Sequence, residues 1–313
     1  MKTIKNVLNI LKTGLLLLKG DTANTAHFPI SKYPFAIRLI IIQGLYWRWI
    51  FNIFIGKKQS ITSDKKVTVI LQSYKRCETI NELACSILKC SFVEKLIISN
   101  NNPEIIMEDW INRSDPRMIL INNSERRGAG YRWILAEKEN AEYFIAIDDD
   151  LFISPKQIKA LFLNLIQDPD IPHGLFGSIF PKRISDLNED DVNKYRQYLS
   201  SVNSEVDAIH RIYAVTKAHA DTFIDYIKQM QSDAFGEKAL GIEDVENVAD
   251  DMVISCTSKY KPRIHYMGYI LSSPNCATKG VALFSTEKDF IKRRLMILQA
   301  AAAIKYKKTG NEQ

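Results

Sequence analysis

The sequence predicts an α/β fold, a mixed and largely parallel sheet flanked by helices, preceded by N-terminal amphipathic helices. Two observations carry this. From residue 67 onward, short apolar β-branched runs alternate with segments of helical period. The most apolar run, Tyr143 to Ile147, ends abruptly in Asp148-Asp149-Asp150. Such runs read as strands buried on both faces, and open α/β sheets hold ligands at strand ends.

The 313 residues allow one large α/β domain or two small ones, and a composition of 46% hydrophobic and 25% charged residues excludes a disordered chain. Net charge is +6, but it is unevenly placed. Residues 1–63 hold nine Lys or Arg and one acid, Asp21, giving +8; the remaining 33 basic and 35 acidic residues give −2. A nucleic-acid binder would carry its excess on the folded body, so nucleic acid is not an expected partner. A basic, apolar N-terminal segment suits an anionic membrane surface. Five cysteines without a CxxC pair argue against zinc or a disulfide framework and for reduced, buried thiols in the cytoplasm.

Residues 4–18 form an amphipathic pattern. Leu8, Leu11, Leu15 and Leu18 share one helical face, with Lys5, Asn9 and Lys12 mostly off it. A signal peptide is the rival, but its cleavage site is weak and Lys12 interrupts the apolar stretch. Phe35 to Ile55 is more apolar, with Trp47, Trp49, Phe51 and Phe54, and is punctuated by Arg38, Gln43, Arg48 and Asn52. It reads as an interfacial helix, with a membrane span or a core helix as alternatives. Lys57 to Lys66 is a polar linker. Residues 1–63 are therefore expected to be a membrane-associating segment, peripheral at the cytoplasmic face, and residues 64–313 the functional domain.

Val67 to Leu71 is the first strand expected, followed by a helix with Ile80, Leu83, Ala84, Ile87 and Leu88 on one face. Lys95–Ser99 and Met118–Ile121 are further strands, Trp133–Glu139 a helix, and Tyr143–Ile147 the fourth strand. Ser154 and Pro155 place a helix N-terminus, and Asp168-Pro169 stops that helix. Leu175–Phe180 and His210–Val215 read as strands, Ala218–Gln231, Asp250–Tyr260 and Thr286–Tyr306 as helices, and 232–247 as a loop.

Three groups carry the candidate chemistry. Asp148, Asp149 and Asp150 repel one another unless a cation intervenes, and a divalent metal carrying phosphate is the simplest one. An acidic turn or a calcium site is the alternative, although EF-hand spacing is missing. Glu125-Arg126-Arg127-Gly128-Ala129-Gly130-Tyr131-Arg132 supplies guanidinium groups and glycines suited to phosphate. It also reads as a plain solvated loop. Asp250 and Asp251 open a helix, where a carboxylate can be held ionised toward a reacting sugar or can simply cap. Glu243, Asp244 and Glu246 nearby read as a solvated acidic loop. The five histidines show no HExxH or paired spacing, and His265 is the best placed for a late metal or phosphate contact. Neither GxSxG nor a Walker A pattern occurs.

Taken in order, Val69-Ile-Leu-Gln-Ser-Tyr-Lys-Arg76, Leu96-Ile-Ile-Ser-Asn-Asn-Asn-Pro103, Ile145-Ala-Ile-Asp-Asp-Asp-Leu-Phe-Ile-Ser154, Gly177-Ser-Ile-Phe-Pro-Lys-Arg183 and Ala249-Asp-Asp-Met-Val-Ile-Ser255 resemble a GT-A type glycosyltransferase, specifically the exostosin-family transferase domain (glycosyltransferase family 64). The resemblance covers roughly residues 66–285. It implies a GT-A nucleotide-diphospho-sugar transferase fold, a nucleotide-sugar donor, usually UDP-linked, Mn2+ (or Mg2+), and retention of configuration. A hexosyl or N-acetylhexosaminyl group would pass to a glycan or lipid-linked acceptor, as in polysaccharide biosynthesis. By the same resemblance Asp150 is the direct metal ligand, and Asp148 and Asp149 are ribose, sugar or water-bridged contacts, with Asp148 also at the metal. Tyr74 and Arg76 border the base, Asn101 lies near the nucleotide, and Arg127 and Arg132 lie close to the donor. Asp251 is the carboxylate near the transfer centre, with Asp250 its neighbour. The family's late basic element is missing after Gly280, leaving Lys279 or Arg263 as substitutes.

Three alternatives remain at this stage. One is a non-catalytic nucleotide-sugar-binding module. A second is an inverting family 2-like transferase with Asp251 as general base. The third is a nucleotidyltransferase, for which no triphosphate loop occurs.

Overall fold

A computed structural model of the protein describes residues 2–19, 33–194, 202–232, 245–274 and 289–310. Eight strands form one mixed, largely parallel sheet in the order β3-β2-β1-β4-β7-β5-β8-β6, with β1 Val67–Ser73, β2 Val93–Asn100, β3 Met118–Asn122, β4 Tyr143–Asp148, β5 His173–Ser178, β6 Ser204–Glu205, β7 Ala208–Thr216 and β8 Arg263–Ile264. The chain divides into two compact units. The first comprises residues 1–126, 147–160 and 267–286, and the second 127–146, 161–266 and 287–313.

In the first unit, β1, β2 and β3 pair in parallel, with Ser73 opposite Asn100 and Asn100 opposite Asn122 at their C-terminal ends. Every residue of β1 is buried, which is why Val69, Ile70 and Leu71 run on without alternation. The crossover from β1 to β2 is helix α3 (Ile80–Leu88), after α1 (Lys2–Lys19) and α2 (Phe35–Phe54), and all nine of its residues are buried. Between α1 and α2 the contact is close because Gly14 has no side chain: a Cβ there would lie 3.3 Å from the Tyr46 ring. The Lys89 ammonium donates to the carbonyls of Asn52 (3.1 Å) and Ile53 (2.5 Å), capping the C-terminus of α2 with positive charge. Trp49 of α2 stacks on Phe152, with centroids 4.6 Å apart, and its indole N–H donates to the Ile153 carbonyl at 2.8 Å. Among the described residues no helix is long and apolar enough to cross a membrane.

In the second unit, β5 runs antiparallel to β7 and parallel to β8. The β5–β7 register slips between Gly174 and Phe176. Opposite that slip Arg211 adopts φ 65°, a left-handed conformation, and its N–H donates to the Tyr213 hydroxyl at 3.0 Å. Helices α4 (Tyr131–Lys138), α7 (Lys217–Met230), α8 (Asp250–Ser255) and α9 (Phe290–Thr309) pack here, with Trp133 in edge contact with Tyr213 at 5.8 Å. Helix α5 (Pro155–Gln167) begins in one unit and ends in the other, and α6 is Glu189–Lys194. Ser154 caps α5 as its sequence suggests: the Gln157 N–H donates to Ser154 Oγ at 3.4 Å, and the Ser154 N–H to Gln157 Oε1 at 2.9 Å.

The helix expected from Asp250 to Tyr260 stops at Ser255, where the Thr257 hydroxyl and the Ser258 hydroxyl take up nearby carbonyls instead of continuing the turn. The strand expected at Leu175–Phe180 begins two residues earlier, at His173, because His173 pairs with Ala214 and Arg263. Cys77, Cys85, Cys90 and Cys256 are free and buried. Glu243, Asp244, Cys276 and the segment from Lys279 to Phe284 lie outside the described residues.

Candidate functional site

The aspartate turn belongs to the first unit. The last residue of β4 is Asp148, and the chain then leaves the strand through Asp149 and Asp150, both buried. Two backbone contacts hold the turn: Ser273 N–H donates to the Asp150 carbonyl at 2.8 Å, and Phe152 N–H to the Leu271 carbonyl at 2.9 Å. The charge between the carboxylates comes from Arg76, just past β1. Its Nη1 lies 3.0 Å from Asp149 Oδ1 and 3.1 Å from Asp150 Oδ2. Tyr74 N–H donates to the other Asp149 oxygen at 3.3 Å. Burial raises the Asp149 carboxyl to about 6; Arg76 pulls it down, and Asp150 and Asp148 push it up. Conversely, burial works against the Arg76 cation, yet Asp149, Asp150 and Asp148 hold it charged more firmly than usual.

Beside Tyr74 the cluster turns cationic. The Arg126 guanidinium lies 5.1 Å and the Lys75 ammonium 5.3 Å from the centre of its ring. A network of amides closes the ends of β1 to β3. Asn101 N–H donates to the Ser73 carbonyl at 2.7 Å, and Ser99 Oγ–H to Asn101 Oδ1 at 2.8 Å. Asn123 Nδ2 reaches the Asn100 carbonyl at 2.8 Å and Asn101 Oδ1 at 3.3 Å. The expected Asn101 is therefore a structural member of this network, joined by backbone to the residue before Tyr74.

The three carboxylates about one guanidinium offer hard oxygens of the kind that suit Mn2+ or Mg2+. Among the described residues no three His, Cys, Asp or Glu side chains are gathered as a complete ligand set. A cation on Asp150 and Asp148 would thus complete its shell from water and phosphate oxygens, as Mg2+ commonly does.

Arg127, Arg132, Asp250 and Asp251 belong to the second unit. Arg127 Nη1 pairs with Glu246 Oε1 at 2.9 Å. Gly128 is required at this point: a Cβ would fall 2.0 Å from the Glu246 carbonyl oxygen. Arg132 is buried, with its Nε 3.2 Å from Asp250 Oδ2 and its guanidinium 5.2 Å from the Tyr213 ring centre. Trp133 Nε1–H donates to the same Asp250 oxygen at 3.1 Å.

Asp251 is held on every side. Arg294 grips it in a bidentate pair, Nη1 to Oδ1 at 2.8 Å and Nη2 to Oδ2 at 2.5 Å. His210 Nδ1 lies 2.9 Å from Oδ2, and the other His210 nitrogen lies 2.9 Å from Ser178 Oγ. Burial would raise the Asp251 carboxyl, but Arg294 and His210 outweigh it and hold it well below the usual carboxylate range. His210, Arg294 and Ser178 are thus neighbours of Asp251 that sequence reasoning missed. Their residue types carried no local motif, and only the fold brings them to Asp251.

His265, expected as a late metal or phosphate contact, pairs instead with His173: Nε2 and Nδ1 are 2.8 Å apart, and His173 Nε2 meets the Asp168 carbonyl at 2.7 Å. Together with Asn164, Gln167, Asp168 and Arg263 they line a cavity of about 200 Å³. Arg263, offered as a substitute basic group, lies 3.4 Å from Asp168 and 3.5 Å from Glu205.

No family model matches the chain, and no curated protein does. Among solved structures, similarity is found to GalNAc-T7 with UDP, GalNAc and Mn2+, at 12% identity and a TM-score of 0.44, over 64% of this chain and 41% of that one. A CMP:2-keto-3-deoxy-manno-octonic acid synthetase complexed with CTP is similar at 12% identity and a TM-score of 0.41, over 72% of this chain and 100% of that one.

Proposed function

We propose that the protein is a metal-dependent GT-A type glycosyltransferase that moves a hexosyl or N-acetylhexosaminyl group from a nucleotide-diphosphate donor, UDP-linked, to a glycan or lipid-linked acceptor. Residues 1–63 would hold it peripherally at the cytoplasmic face of a membrane. The observation that carries the reading is the aspartate turn at the end of β4, with Arg76 set between Asp149 and Asp150. An acidic strand-end turn of this kind, beside a tyrosine flanked by Lys75 and Arg126, supports a site for a metal-bound nucleotide.

In this reading Asp150 and Asp148 hold Mn2+ (or Mg2+), which supplies counter-charge to the diphosphate as the nucleotide departs. Arg76 keeps Asp149 ionised and aims it, so that its free lone pairs accept hydrogen bonds from sugar or ribose hydroxyls. Tyr74 offers a ring face to the base, and Asn101 sets the strand end beside it. Arg127 and Arg132 are assigned to the donor, and Asp250 and Asp251 to the transfer step. Arg294 and His210 already occupy the Asp251 carboxylate and lower its basicity, which favours a fixed negative charge over a general base. That favours retention over the inverting alternative.

The test is a thermal-shift screen of UDP-sugars with and without Mn2+. The true donor is expected to raise Tm by mass action only when the metal is present. Asp150→Ala is expected to abolish both that shift and Mn2+-dependent UDP release while leaving the apo Tm within a few degrees. Wild-type turnover in Asp150→Ala would overturn the assignment. Donor binding with no UDP release would leave a binding module.

A further inference from the structure

Both N-terminal helices turn an apolar face outward. Helix α1 is amphipathic, yet it meets the rest of its unit through its polar side. Asn6 Nδ2 donates to the buried Glu82 at 3.4 Å, Thr13 is buried, and the Ile10 and Gly14 carbonyls accept from Tyr46 (2.9 Å) and Gln43 (2.7 Å). Leu17 alone of its leucines is fully buried. The leucine face points outward, with Leu8 59% and Leu15 62% exposed. Helix α2 is apolar on both sides: Ile42, Tyr46, Trp49, Ile50 and Ile53 face inward, while Ile40, Trp47, Phe51 and Phe54 form an outward stripe. The two stripes meet at Trp47, whose ring would lie 3.4 Å from a Cβ on Gly14. Folded soluble chains rarely leave so many leucines and aromatics together in water.

Charge selects what covers this surface. Lys12, Arg48, Lys57 and Lys58 are exposed around it, and the only acid in the first 63 residues is Asp21. A second copy of the chain would bring two segments of +8 against each other. An anionic headgroup layer meets the same lysines and arginines favourably, with tryptophan at its interface.

We propose that the outward faces of α1 and α2 form one docking face for an anionic lipid bilayer, and that α2 ties this contact to the aspartate turn. The tie is Trp49, which stacks on Phe152 and donates to Ile153, a carbonyl that Ser86 Oγ also caps at 2.6 Å. Phe152 is two residues beyond Asp150. The inference rests on the peripheral-membrane part of the function above and not on the donor chemistry.

The experiment is co-sedimentation of the full chain with phosphatidylcholine vesicles containing phosphatidylglycerol, against vesicles of phosphatidylcholine alone. Wild type is expected to bind the anionic vesicles more tightly, and less so in high salt. Leu11→Glu/Leu15→Glu is expected to weaken partitioning roughly a hundredfold, since two leucines of the proposed lipid-facing side are replaced by repelled charges. Both positions are exposed, so its Tm should match wild type; Phe51→Glu gives an independent reading on α2. Equal binding by the variants, or no vesicle binding by wild type, overturns the proposal. So does a concentration-dependent dimer, seen by light scattering without lipid, that the same substitutions dissolve. The Mn2+-dependent UDP-sugar shift, measured on the same samples, separates failure of docking from failure of the transferase assignment.

Discussion

Arg76 holds together the acidic turn, and its removal should be felt in stability before chemistry. Arg76→Met removes the guanidinium set between the buried Asp149 and Asp150. Breaking a buried pair from one side costs about 3–5 kcal/mol, so urea denaturation should show a loss of that order. Added Mn2+ is expected to recover part of it, because the vacated charge is then available to a metal; no recovery with millimolar Mn2+ would argue against a cation at this turn. Arg294→Ala makes the matching test in the second unit, with a loss of about 3–5 kcal/mol because Asp251 stays buried with His210 but without its bidentate guanidinium. Combining it with Asp251→Asn should return much of that loss, because the buried charge is gone. Of these two arginines, Arg76 was legible in the sequence, three residues past the end of β1, a strand of evident pattern. Arg294 was not: it sits in a C-terminal helix 43 residues from its partner, and no local pattern marks it.

Element boundaries followed from local signals where such signals exist. Ser154-Pro155 set the start of α5, and the continuous apolar run of β4 reflects burial on both sheet faces. The two-residue strands β6 and β8 were not legible, since they exist only through pairing with each other and with β5. The face that α1 buries was also illegible: periodicity identifies an apolar face but not whether protein or bilayer covers it. The interface below α1 holds Glu82, raised to about 7 by burial, with Asn81 lowering it by hydrogen bonding. This carboxyl keeps its proton in the folded state, so its contribution is present below pH 4.5 and is lost as pH rises toward 7. Glu82→Gln keeps an acceptor for Asn81 and Asn6 and removes the titration; it should stabilise the protein above pH 7 by roughly 1–3 kcal/mol, measured by chemical denaturation. Gly128→Ala should act oppositely, displacing the Arg127 loop from Glu246 and costing roughly 1–3 kcal/mol.

At the scale of the whole molecule, buried histidines set the acid limit of stability. His219 and His265 are lowered from 6.5 to about 4, first by burial, and His173 is lowered in the same direction and for the same reason. His219 is locked neutral by geometry: its Nδ1 lies 3.0 Å from the Thr216 hydroxyl and accepts the Thr216 N–H at 3.2 Å, while Nε2 faces the Asp170 carbonyl at 3.2 Å. Each such group binds a proton in the unfolded chain before it does so in the folded one. Stability therefore rises with pH between about 4 and 6.5, at up to about 1.4 kcal/mol per pH unit for each proton. Glu82 opposes that slope between pH 4.5 and 7, and Asp149 between 3.8 and 6, but they are two groups against three. Asp251, held below the usual carboxylate range, adds a further loss at still lower pH. The unfolding free energy should thus fall as pH is taken from 6.5 to 4.5. Glu82→Gln should steepen the fall, and His219→Gln should make it shallower. Denaturant titrations of wild type and both variants at half-unit pH steps check all three slopes, and a stability that increases on acidification through this window would contradict the burial of neutral histidines on which the expectation rests.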